Sequence, residues 1–121
     1  MSTTIAPPQI NEITLGMALD LMKRAVTERG ENFVYERTGG RCVYRKPDGT
    51  PDCLIGLMLS YIGPVPHPTA GPANETIAQM YPYTQRSVLE GLRDVQNKQD
   101  AGETWGTCLA FFEGWVAGCK R

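Results

Sequence analysis

Residues 32–46, NFVYERTGGRCVYRK, decide the fold class. Two short runs rich in β-branched and aromatic residues, FVYER and CVYRK, flank TGGR, and a glycine-rich turn between such runs is the pattern of a β-hairpin. Antiparallel strands are therefore predicted at 32–37 and 41–46. Outward from this stretch the chain reads as helix. The expected class is α+β: a single small domain of about four helices packed around one antiparallel β-hairpin.

Toward the amino end, NEITLGMALDLMKRAVTERG (11–30) repeats Leu15, Ala18, Leu19, Met22 and Val26 at helical spacing, with Asn11 or Thr14 to cap it and Gly30 to end it. Residues 1–10 carry Pro7 and Pro8 among small polar residues and read as a flexible arm, leaving 11–121 as the domain. Toward the carboxyl end, Pro47, Asp48 and Gly49 form a turn. A helix is then predicted with Thr50 as N-cap and Pro51 in its first position, burying Leu54, Leu57, Met58, Tyr61 and Ile62 before Gly63 and Pro64 stop it.

Residues 64–75, PVPHPTAGPANE, hold four prolines and the chain's one histidine, His67. A short helical turn around Ile77–Met80 follows, then a helix from a Thr84 cap to about Gln99 with Val88, Leu89, Leu92 and Val95 inward. The last helix turns Trp105, Cys108, Leu109, Phe112, Trp115, Val116 and Cys119 to one side. It is predicted to start at an Asp100/Glu103 capping box and to supply the largest share of the core.

Twelve Lys and Arg balance thirteen Asp and Glu in 121 residues, a net charge of −1, and the pI is 5.8. No overall field recruits nucleic acid or an anionic membrane. The opening MSTTIAPPQ lacks the basic and apolar regions of a signal segment, and no apolar run reaches the roughly 18 residues of a membrane span. A cytoplasmic protein with no membrane partner is expected, its four cysteines reduced.

The chemistry that this composition offers is thin. Zinc sites want paired Cys or His at close spacing, which is absent, so neither metal nor cofactor is expected. Cys53, at the third position of a helix capped by Thr50, would have its thiolate favoured by free backbone amides and is the one nucleophile candidate; Asp52 beside it and the apolar LIGLML after it favour a buried packing thiol. No carboxylate pair, P-loop or nucleophile elbow appears, and the chain reads as a non-enzyme. For binding, Arg37, Arg41, Arg45 and Lys46 crowd the predicted hairpin beside Tyr35 and Tyr44, a ribbon able to grip phosphates or an acidic partner, and the proline loop presents His67. Gly106, Gly114 and Gly118 would let a second copy approach the last helix, making a homodimer one further partner.

Two fragments carry a resemblance. CVYRKPDGTPDCLIG is similar to a C-x-Y, D-G-x-P-x-C-L-I/V-G signature, and QNKQDAGETWG to a Q-D-x-G-x-x-W-G segment, of small proteins from phages of actinobacteria and from their hosts. The matched positions are Cys42, Tyr44, Asp48, Gly49, Pro51, Cys53, Leu54, Ile55 and Gly56, then Gln99, Asp100, Gly102, Trp105 and Gly106, within residues 33–112. That family has no assigned activity. The resemblance implies a phage origin, the host cytoplasm as compartment, and a structural role for the motif residues, with Cys42, Cys53 and Trp105 at one packed corner. The functional expectation is a small accessory protein that binds a host protein or sequesters a small molecule to modulate host physiology or defence. The alternatives are a nucleic-acid-associated regulator using the basic hairpin and, third, a cysteine-dependent enzyme.

Overall fold

A computed structural model of the chain describes residues 10–36, 44–46, 48–65 and 72–119. Five helices follow one another among them: α1 (Leu15–Arg29), α2 (Leu54–Ser60), α3 (Ala73–Met80), α4 (Arg86–Asp100) and α5 (Trp105–Cys119). α5 lies against both α1 and α4; α2 packs on α1 and, less extensively, on α4; α3 leans on α4.

No strand occurs among the described residues, so the α+β expectation gives way to an all-α fold. The predicted strands fail for a definite reason. Residues 33–36 do alternate, with Tyr35 buried, Phe33 half-buried, and Val34 and Glu36 exposed. Their backbone, however, serves a helix end instead of a partner strand. The Phe33 carbonyl accepts from the Trp105 N–H at 2.9 Å and the Glu31 carbonyl from the Gly106 N–H at 2.7 Å, satisfying donors that open the first turn of α5. The second run pairs forward, not backward. Asp52 N–H donates to the Tyr44 carbonyl at 3.0 Å, Lys46 N–H to the Thr50 carbonyl at 2.7 Å, and Arg45 bridges Pro51 in antiparallel sense. Alternation reports an extended backbone, and not the partner that backbone will find. The predicted turn between the runs, with Arg37, Arg41 and Cys42, lies outside the described residues, as do His67 and residues 1–9.

Helix starts differ from expectation where a distant group replaces a local cap. Thr14 caps α1 as read, its hydroxyl accepting from Met17 N–H at 3.1 Å, and Gly30 ends it at φ 101°. α2 begins later than predicted: Cys53, not Thr50, is its N-cap, and the thiol sulfur accepts from Gly56 N–H at 3.5 Å. Thr50 instead closes a turn by donating its N–H to the Asp48 carboxylate at 2.9 Å, an Asx turn. Thr84 turns its hydroxyl to Ile13 N–H at 3.0 Å, and Gln85 precedes α4 without a side-chain cap. Asp100 ends α4, so it forms no capping box; α5 is capped by Thr104, whose hydroxyl accepts from Thr107 N–H at 3.1 Å.

One hydrophobic cluster joins the helices. α5 contributes its bulkiest members, Trp105 and Phe112, with Cys108 and Val116. α2 is the more completely enclosed helix, with all of Leu54 through Leu59 buried. That enclosure follows from LIGLML having no polar face to leave outside. Each of its large aliphatic side chains stabilises the fold by about 1.5–3 kcal/mol relative to exposure.

Candidate functional site

The polar residues at the amino end of α2 are occupied in holding the fold. Arg29, in the last turn of α1, donates to the carbonyls of Asp52 and Pro51 at 2.5 and 2.6 Å, while its guanidinium lies 5.3 Å from the Trp105 ring and 5.5 Å from the Phe33 ring. Tyr35 donates its hydroxyl to the Asp52 carboxylate at 3.0 Å. Gln99 accepts from Leu54 N–H at 2.7 Å and so caps α2 from α4. Gln96, one turn earlier, accepts from Ala73 N–H at 2.8 Å and donates to the Tyr44 hydroxyl at 2.9 Å. Two glutamines of one helix thus satisfy the open amides of two others, an arrangement that α3 needs because Pro72 before it offers no side-chain cap.

Close backbone approach completes this corner. A Cβ on Gly56 would fall 2.0 Å from the Tyr44 carbonyl oxygen, and one on Gly106 would fall 2.7 Å from that of Glu31. The two sequence fragments meet where Gln99 of the second accepts from Leu54 N–H of the first, while Gly106 and Trp105 of the second pack on Glu31 and Phe33, outside the first. Phe33 meets Trp105 edge to face at 4.6 Å. The Trp105 indole N–H is buried without an acceptor among the described residues.

Of the residues nominated for binding, Tyr35 and Tyr44 are buried at 5% and 0% exposure with their hydroxyls engaged, so neither ring offers a face to a base or a cation from outside. Arg45 is half-buried and Lys46 exposed. Cys53 is fully buried at its cap, and its sulfur acts as a hydrogen-bond acceptor. Hydrogen bonds from Thr50 hold the exposed Asp48 carboxyl below the usual range, with Lys46 a minor contributor. Gly114 and Gly118 lie exposed with open space above them, whereas Gly106 is used against Glu31. Among the described residues no three His, Cys, Asp or Glu side chains gather where they could hold a metal ion, and no helix is long and apolar enough to cross a membrane.

The carboxyl end of α2 is built differently. The turn after it places Ile62, Gly63 and Pro64 opposite Met80 and Tyr81 at the end of α3, with Ile10 and Asn11 closing the third side. Together they line a cleft of about 410 Å³, open to solvent. Its walls are fixed by the backbone, since Tyr83 N–H donates to the Asn11 carbonyl at 2.9 Å beside the Ile13–Thr84 bond. On the neighbouring surface Tyr61 donates to Glu28 at 2.9 Å beneath the Arg24 guanidinium, 3.8 Å from the ring, tying α2 to α1. Burial, then the Glu28 carboxylate, push its phenol up to about 12.

Tyr81 is the unusual member of the cleft. The residue as a whole is only 6% exposed, yet its hydroxyl makes no hydrogen bond among the described residues and is not one of the fully enclosed polar atoms. The oxygen sits beside Gly63, where an added Cβ would lie 3.4 Å from it. Burial alone raises its pKa, so the group is a protonated donor at neutral pH.

None of these cleft residues was singled out as a site in the sequence. Ile62, Gly63 and Pro64 read as a helix stop, and the Tyr-Pro-Tyr break as a connection. The glutamines did leave a signal: Val88, Leu92, Val95 and Gln99 share one helical stripe, and a polar residue at a core position marks a buried hydrogen bond. No protein-family model matches the chain, and no curated protein or solved structure is similar to it.

Proposed function

We propose that this protein acts by binding, and that the small-molecule form of that activity is the one it carries: a cytoplasmic accessory protein that sequesters a small, mainly apolar molecule in the cleft between the α2–α3 turn and residues 10–11. The observation that carries the reading is the cleft itself. Its volume of about 410 Å³ falls within the roughly 300–1,000 Å³ of small-ligand sites, and an apolar lining with few polar groups is their usual composition. The corner at the other end of α2, where a reading from motifs looks first, has its hydrogen-bonding side chains committed to helix ends. A phage origin and a role in modulating host physiology belong to the same proposal and rest on the resemblance of the two motif fragments.

The test is a fluorescence titration of the native protein with prodan, an apolar aminonaphthalene ketone whose emission shifts to the blue on leaving water. Saturable one-to-one binding that Ile62→Trp abolishes, in a variant whose helical circular dichroism is unchanged, supports the reading. Absence of saturable binding, or binding indifferent to Ile62→Trp, overturns it.

A further inference from the structure

We infer that the cleft selects ligands carrying a hydrogen-bond acceptor, such as a carbonyl or ether oxygen, on an apolar body, and that the Tyr81 hydroxyl is the group that reads it. This inference rests on the proposed binding function and assigns the chemistry of its ligand.

Three observations converge on Tyr81. Its ring is enclosed, so its orientation is set by packing and not by solvent. Among the described residues its hydroxyl is nonetheless left without a partner, whereas the buried phenols Tyr35 and Tyr44 both bond internally. The same residue lines the cleft, and the glycine beside its oxygen leaves that oxygen uncovered. A ligand that covers this hydroxyl without offering an acceptor strips it of water and leaves it unsatisfied, a cost that an acceptor on the ligand removes. The side chains of Ile10, Ile62, Pro64 and Met80 around it offer apolar contact to the rest of a ligand, with Asn11 a second polar residue on the wall. An O–H at the wall of an apolar cleft discriminates between an acceptor and an isosteric hydrocarbon, because only the acceptor satisfies it.

Two substitutions isolate the hydroxyl. Tyr81→Phe keeps the ring and removes the oxygen. Gly63→Ala adds one methyl at ordinary contact distance from it, at a residue without a left-handed φ, and so covers the donor without straining the backbone. Prodan and its analogue with the ketone reduced to a methylene are titrated into the native protein and both variants. The native protein is expected to bind the ketone about three- to tenfold more tightly than the methylene analogue, the range of one neutral hydrogen bond, and both variants are expected to bind the two equally. Equal binding of both probes by the native protein, or a preference that survives Tyr81→Phe, overturns the inference while leaving the cleft as a binding site. Loss of saturable binding for both probes in the native protein removes the binding reading itself.

Discussion

At its amino end α2 enters a corner where Arg29, Tyr35, Tyr44, Gln96 and Gln99 spend their hydrogen bonds on carbonyls, amides and one another. At its carboxyl end, about 10 Å further along a seven-residue helix, it borders a cleft in which the Tyr81 hydroxyl bonds to none of the described residues. Both ends set polar groups beside apolar side chains. The difference lies in the partner: the first end supplies one for nearly every group, and the second leaves one open beside a space large enough for a molecule. The lesson is that a dense motif need not mark a site. In this chain the recognisable residues hold the scaffold together, and the open group sits in a segment that looks like punctuation.

The comparison breaks first if the corner proves dispensable. Trp105→Ala empties its largest side chain and is expected to cost about 3–5 kcal/mol, read from urea or thermal unfolding. An unchanged midpoint would mean that the corner is not the structural centre. Next is Gly56→Ala, whose methyl has nowhere to go but into the Tyr44 carbonyl, so that helix or loop must shift. About 1–3 kcal/mol of destabilisation is expected. Gly114→Ala, with open space at its Cβ, is expected instead to stabilise by about 0.4–1 kcal/mol, and equal effects at the two glycines would contradict the packing described.

A smaller effect tests how closed the interior is. Burial, with Glu103 secondary, pushes the Cys108 thiol up from 9.0 to about 11. The folded state keeps this proton through a range where the unfolded chain has released it. Its stabilising contribution is therefore whole below about pH 9 and is lost as pH rises toward 11. Unfolding midpoints should fall across that window, and Cys108→Ala should flatten the fall; Tyr61, held to about 12, adds its own decline only above pH 10. At neutral pH iodoacetamide should label the exposed Cys119 in the native protein and spare the buried Cys108.

How much of this was legible in the sequence depends on the range of the interaction involved. The helices were readable because Leu15 to Val26 and Trp105 to Val116 repeat at a local period, and the Thr14 cap because it lies three residues from its donor. The hairpin was misread because FVYE has strand alternation while its backbone bonds are made to Trp105 and Gly106, some seventy residues away. Cys53 moved from a helix position to the cap because Tyr44 and Gln99 hold the residues around it, which no local pattern reports. The corner was half legible, since the motif fragments name its members without saying that glutamines from α4 tie them together. The cleft was not legible: it is assembled from three short segments, residues 10–11, 62–64 and 80–81, none with a pattern of its own.

The most direct test of the contrast between the two ends is a thermal unfolding measurement with and without saturating prodan on Gln99→Ala and Tyr81→Phe. Gln99→Ala strips the cap from α2 and is predicted to cost about 1–3 kcal/mol, lowering the midpoint while keeping the increment that the ligand adds. Tyr81→Phe removes a hydroxyl with no partner among the described residues and is predicted to leave the unliganded midpoint within about 0.5 kcal/mol of the native protein, while losing about 0.6–1.4 kcal/mol of the ligand's increment, the equivalent of a three- to tenfold weaker site. The reverse result, with Tyr81→Phe as destabilising as Gln99→Ala and the ligand increment intact, would contradict the division between a closed structural end and an open binding end.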